Sequence, residues 1–98
     1  MRKYTNILTA ATSNKTIGSH CVVIENGAVS LLSDKTGTAK TVQSTRHFLY
    51  HNNTICAVDD DNKRFWLSHA GWFTTSTTCA LTGYNVYFSN LGYKECLL

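Results

Sequence analysis

Ninety-eight residues, 43% hydrophobic and 15% charged with a formal net charge of +3, describe one globular domain rather than a disordered chain. The balance excludes both a strongly basic nucleic-acid binder and an acidic mimic of DNA. No apolar run approaches the roughly 18 residues of a membrane-spanning helix, and with no Pro in the chain the turns must rest on Gly, Asn, Asp and Ser.

Residues 1–11 begin with Arg2 and Lys3, but Thr5, Asn6 and Thr9 interrupt any apolar stretch, so the segment does not read as a signal peptide. Tyr4, Ile7 and Leu8 are expected to pack as a short arm. From His20 the pattern sharpens. Cys21-Val22-Val23-Ile24 is a β-branched strand, Asn26-Gly27 is a strong hairpin signal, and residues 28–33 read as the return strand. A loop over 34–40 contains Gly37. Val42, Thr45 and Leu49 recur at helical spacing and predict a helix over 41–50, with a strand over 46–51 as the rival because Phe48 and Tyr50 alternate with polar neighbours.

A second hairpin is expected from strand 54–58, turn 59–62 and strand 63–68. His69-Ala70-Gly71 makes a corner, and Thr74 or Thr75 caps a helix. Along that helix Leu81, Tyr84, Phe88 and Leu91 form one apolar stripe, and Gly92 stands where a glycine ends a helix. The tail, 93–98, is apolar enough to add a strand or cover the core.

Aligning residues 14–51 with 52–92 suggests an internal ββα duplication within one domain spanning 1–98. Cys21-Val22-Val23-Ile24 matches Ile55-Cys56-Ala57-Val58, and Gly37 matches Gly71. The expected fold is α+β: an antiparallel sheet of about four strands with two helices on one face.

Asn53-Thr54-Ile55-Cys56-Ala57-Val58, Phe65-Trp66-Leu67-Ser68 and Gly71-Trp72-Phe73-Thr74-Thr75-Ser76-Thr77-Thr78 together resemble a family of small uncharacterised bacteriophage proteins. In that family a strand hairpin precedes a Trp-x-Thr-Thr-x-Thr-Thr helix start. Thr41-Val42-Gln43-Ser44-Thr45-Arg46-His47 resembles the family's other helix start; in the second unit Cys79 and Ala80 stand in place of the Arg-His pair. The resemblance implies a phage origin and a small α+β domain, and the cytoplasm of the infected bacterium is the expected location. It implies no activity.

The chemistry-bearing residues are sparse. His47 and His51 sit four apart, a spacing that suits a metal on a helix face, but no Glu stands beside them, and Cys56 or His69 would have to complete the set. Surface imidazoles are the simpler reading, and His20 is grouped with them. Cys21, Cys56, Cys79 and Cys96 have no C-x-x-C spacing and read as free thiols packed as small hydrophobes. Asp59-Asp60-Asp61-Asn62 lacks the alternation and terminal Glu of a calcium loop, and no glycine-rich phosphate loop occurs. No metal, cofactor or catalytic set is expected, so the chain does not read as an enzyme.

Alternation along 63–68 puts Phe65 and Leu67 on one side and Arg64, Trp66 and Ser68 on the other. Arg64 and Trp66 are therefore candidates for a partner surface, with Trp66 as anchor and Lys63 and Trp72 beside them; packing into the core is the simpler reading for both tryptophans. The first expectation is a non-enzymatic accessory protein that binds a host or defence protein, for example as an anti-CRISPR-type inhibitor. A second is a nucleic-acid or nucleotide binder using Lys35, Lys40, Arg46, Lys63 and Arg64. A third is a minor virion structural or assembly protein, for which homo-oligomers would be expected.

Overall fold

The computed structural model describes residues 19–98; the expected arm of Tyr4, Ile7 and Leu8 lies outside them. Strands β1 (His20–Val23), β2 (Gly27–Leu32), β3 (Ala39–Ser44), β4 (Arg46–Tyr50), β5 (Asn53–Asp59) and β6 (Arg64–Leu67) precede helix α1 (Thr75–Asn90) and strand β7 (Lys94–Cys96). Five strands form a sheet in the order β1-β4-β5-β6-β7, antiparallel except for the parallel β6–β7 pair, while β2 and β3 form a sheet of their own.

Residues 20–50 are one long hairpin bent across its middle. β1 pairs with β4, His20 opposite Tyr50, and β2 pairs with β3, Gly27 opposite Ser44. Both arms pass from the large sheet to the small one, at 24–26 and at Thr45. Thr45 marks the crossing: its N–H donates to the carbonyl of Val58 at 2.8 Å, and the next residue, Arg46, starts the register of β4 on β5. The tip of the hairpin, 33–38, is closed by bonds from Ser33 N–H to Thr38 O and from Gly37 N–H to Ser33 O, both 2.8 Å. Gly37 takes a left-handed φ of 70° there, which glycine tolerates without strain.

Three expectations are corrected by this arrangement. Asn26-Gly27 is not a hairpin turn, because β1 and β2 lie along the same arm and pair with different strands. Residues 41–50 are not a helix: Thr41, Val42, Thr45, Phe48 and Tyr50 are β-branched or aromatic and suit a pleated backbone, and partner strands are at hand for both halves. With strands there, the ββα duplication over 14–51 and 52–92 disappears. The sheet of about four strands with two helices on one face is replaced by seven strands in two sheets and one helix among the described residues.

The large sheet is covered on both faces. On one, α1 lays Ala80, Leu81, Tyr84 and Phe88 against Phe48, Val58 and Phe65, the face announced by the 81–84–88 stripe. On the other, the bent hairpin lays Leu31, Val29 and Val42 over Ala57 and Trp66. Central strand β5 is consequently apolar on both sides, with Ile55, Cys56, Ala57 and Val58 all buried. A bulge at the Phe48–Leu49 step sets Phe48 opposite Cys56 and Leu49 opposite Thr54. Ile55 is thereby left unpaired across the ladder and joins Cys56 on the helix side.

Helix α1 starts where Thr74 Oγ1 accepts from the Thr77 N–H at 3.2 Å. It ends in a paired closure: Tyr93 N–H to Phe88 O at 2.9 Å and Gly92 N–H to Ser89 O at 3.0 Å, with Gly92 at φ 89°. The chain then returns as β7 alongside β6. Asp60 secures that return, accepting from Tyr93 Oη at 2.7 Å and from Arg46 Nε and Nη2 at 3.1 and 2.9 Å, with Thr45 Oγ1 also bonded to it.

Candidate functional site

The corner after β6 is built by two left-handed residues in succession, Ala70 at φ 53° and Gly71 at φ 83°. Ala70 carries a Cβ in that conformation, which costs of order 1 kcal/mol or more, so the surroundings must enforce it. Buried Ser68 does part of this: its hydroxyl donates to Leu32 O and accepts from Ala70 N–H at 2.9 Å. A bond from Trp72 N–H to His69 O at 2.8 Å closes the turn.

His69 is the pivot. Both carboxylate oxygens of Asp34, from the hairpin tip, are committed to it: Oδ1 accepts the His69 backbone N–H at 2.9 Å and Oδ2 lies 2.7 Å from Nδ1. A carboxylate is acceptor-only, so Nδ1 carries the proton. In the neutral ring Nε2 is then the acceptor, and it faces Thr78 Oγ1 at 3.3 Å, on the first turns of α1. The Phe73 ring stacks on the imidazole with centroids 4.7 Å apart. Hairpin tip, corner and helix start therefore meet on one side chain.

Two hollows flank this pivot and share His69 in their walls. The larger, about 480 Å³, lies between α1, the hairpin tip and the C-terminal residues; its walls include Asp34, Lys35, Thr78, Leu81, Val86 and Leu98. The smaller, about 380 Å³, is bounded by Tyr50, His51, Asn53, Trp72, Ser76 and Thr77. Both volumes suit a small molecule or a few side chains.

The expected site residues are dispersed. Trp66, the expected anchor, is 6% exposed beneath the bent hairpin; the alternation was read properly, but both faces of this sheet are interior. Arg64 lies over its ring at 5.0 Å and bonds Asp59 at 3.1 Å. Lys63 sits on the β5–β6 turn with Nζ 5.4 Å from the Tyr93 ring. Trp72 does reach solvent, at 59% exposure, and Phe73 beside it is 66% exposed.

Of the five cations expected to grip nucleic acid, two are engaged by carboxylates within the fold. Arg46 and Arg64 are held by Asp60 and Asp59, while Lys35 and Lys40 are exposed on the small hairpin. Within residues 19–98 six Lys and Arg face six Asp and Glu, and the whole excess of +3 comes from Arg2, Lys3 and Lys15.

Among the described residues no group of three His, Cys, Asp or Glu could hold a metal ion. His20 is buried and stacked on Tyr50 at 4.4 Å, and neither its Nδ1 nor that of His47 meets a hydrogen-bond partner. Burial holds both imidazoles below their ordinary value of 6.5, with His51 adding to the effect at His20 and Glu25 opposing it at His47. The four cysteines are unpaired; Cys56 is fully enclosed and its thiol is pushed far up by desolvation, the opposite of a reactive thiolate.

Sequence reasoning missed the Asp34–His69–Thr78 chain because Asp34 lies 35 residues from its partner and reads as an ordinary loop aspartate. Only the bend of the long hairpin brings the tip to the corner. Comparison with protein-family models, curated proteins and solved structures finds no match to this chain.

Proposed function

We propose that this chain works by binding another protein through the Trp72–Phe73 corner. The observation that carries the reading is a pair of adjacent large aromatics, 59% and 66% exposed, on a corner whose backbone is fixed. Aromatics anchor protein interfaces because they bury a large area for few rotatable bonds. Holding them rigid before contact removes much of the ordering cost that otherwise weakens association. Here the rigidity has named sources in Ser68, Asp34 and the His69–Phe73 stack.

The setting we propose is that of a phage accessory protein occupying a host or defence protein inside the infected bacterium. Its support is the Trp72-to-Thr78 motif in the sequence. No helix among the described residues is long and apolar enough to cross a membrane.

The test is capture from bacterial lysate with the full chain and its Trp72→Ala and Phe73→Ala variants, read by mass spectrometry. A partner retained by wild type and lost by both folded variants supports the reading. A partner set identical for all three overturns it.

A further inference from the structure

We propose that Thr78, His69 and Asp34 form an acyl-transfer site that hydrolyses small carboxylic esters with an apolar acyl chain. This activity goes beyond the binding reading and does not depend on it.

The argument starts from order and direction in the hydrogen-bond chain. Asp34 Oδ2 holds Nδ1–H at 2.7 Å, and Nε2 lies 3.3 Å from the Thr78 hydroxyl. A carboxylate that fixes the tautomer, an imidazole whose second nitrogen accepts, and a hydroxyl at the accepting end are the three parts that nucleophilic acyl transfer needs. The Asp34 bond to the His69 backbone N–H keeps the ring from turning away, and the Phe73 stack braces its face. The gap of 3.3 Å is loose, as such contacts often are before substrate is bound.

The surroundings suit an ester. The triad lies in the wall of the 480 Å³ cleft, where Ser33, Thr82, Asn85 and Glu95 give a polar portion and Leu67, Leu81, Val86, Leu97 and Leu98 an apolar one. An acyl chain of a few carbons fits that lining, with its carbonyl toward the polar mouth. Lys35, next to Asp34, supplies the ammonium among the described residues lining the cleft and offsets the charge that develops on the carbonyl oxygen.

The steps balance. Thr78 Oγ1 attacks the carbonyl carbon, forming a C–O bond while its proton passes to His69 Nε2. The tetrahedral intermediate collapses by breaking the bond to the alcohol, which leaves with the proton from Nε2. Water then attacks the acyl-threonine, giving one proton to Nε2, and Thr78 is restored as it takes that proton back. The sum is ester plus water to acid plus alcohol. Asp34 stays ionised throughout, stabilising the imidazolium.

The experiment uses the purified full chain with p-nitrophenyl butyrate at pH 8, and a fluorophosphonate probe followed by peptide mass mapping. Expected are nitrophenol release above the buffer blank and one phosphonyl group per chain on Thr78. Thr78→Ser should retain both. Thr78→Val should abolish both, and since Thr78 is exposed the substitution leaves folding intact. His69→Ala should lose about 100-fold or more in rate; if that variant fails to fold, the Thr78 series decides alone. Hydrolysis by wild type no faster than by Thr78→Val overturns the proposal, as does a label found on His51 or elsewhere in place of Thr78.

Discussion

Asp34 holds His69 at two points, one carboxylate oxygen on the backbone N–H at 2.9 Å and the other on ring Nδ1 at 2.7 Å. The contact joins the tip of the long hairpin to the corner that carries Trp72 and Phe73. Asp34→Asn keeps one acceptor and puts an amide donor in the place of the other. The ring proton is then expected to move from Nδ1 to Nε2, where it donates to Thr78 Oγ1. Nitrogen-15 NMR of the His69 ring reads the tautomer directly. Asp34→Ala removes both bonds and is expected to cost about 1–2 kcal/mol in urea denaturation, the usual net worth of a lost pair of partly exposed hydrogen bonds. An unchanged midpoint for Asp34→Ala would mean that the tip is held by other contacts.

The two tryptophans should separate cleanly in stability measurements. Trp66 is enclosed by Leu31 and Ala57, so Trp66→Ala opens a large cavity and is expected to cost about 3–5 kcal/mol. Trp72, more than half exposed, should change stability by no more than about 0.5 kcal/mol on replacement by Ala. Acrylamide quenching gives an independent check: the fluorescence of the Trp66→Phe variant, which comes from Trp72, should be strongly quenched, and that of Trp72→Phe weakly. The reverse pattern would place the aromatic surface on β6.

That reversal of roles shows what the sequence carried and what it did not. Local signals around the second hairpin were sufficient: the Asp-rich turn, the Thr cap, the 81–84–88 stripe and Gly92 each act through neighbours a few residues away. In the first half the strands over 21–24 and 28–33 were legible, but the Asn26-Gly27 turn and the helix over 41–50 failed for a physical reason. Val42, Thr45 and Leu49 fit a helical period by coincidence, because at Thr45 the chain changes sheets and the strand alternation restarts. The burial of Trp66 depends on a layer supplied from Val29, Leu31 and Val42, and no property of residues 63–68 announces that layer. The same holds for the site. Trp72 was visible as an aromatic at a glycine corner, whereas Asp34 acquires its role only when the hairpin folds over.

Acid should destabilise the protein in two stages. His20 and His47 are held below 6.5 in the folded protein, chiefly by burial, and their ordinary value returns on unfolding. The unfolded chain therefore takes up protons first. The stability that comes with neutral imidazoles is present above pH 6.5 and falls as pH drops through that value toward the lower folded ones. Below pH 4 a second loss begins. At Asp60 partial burial pushes the carboxyl up, but hydrogen bonds from Thr45, Tyr93 and Arg46 outweigh it, so it titrates below 3.8. Asp59 does likewise, chiefly through the Asn62 side chain. Thermal unfolding from pH 7.5 to 5 should show a falling midpoint, and His20→Phe, which preserves a ring against Tyr50, should flatten that slope. An equal slope in the variant would exclude His20 as a contributor.

The core contains one polar group whose removal should help. Tyr84 is fully buried between α1 and the sheet, with its ring 4.8 Å from that of Phe48, and its hydroxyl has no hydrogen-bond partner. Burial also pushes the phenol far above its ordinary value, so it stays neutral across the accessible pH range. A buried hydroxyl without a partner costs about 1–3 kcal/mol in lost hydration. Tyr84→Phe removes that group and leaves the ring contacts with Phe48 in place, at the expense of a void one oxygen in size. Lost hydration outweighs so small a void, and the variant is expected to gain about 1 kcal/mol. In a domain of this length that raises the unfolding midpoint by roughly 4–8 °C. Calorimetry of the two proteins at pH 7 decides the matter, since a lower midpoint for Tyr84→Phe would require that the hydroxyl is bonded in solution.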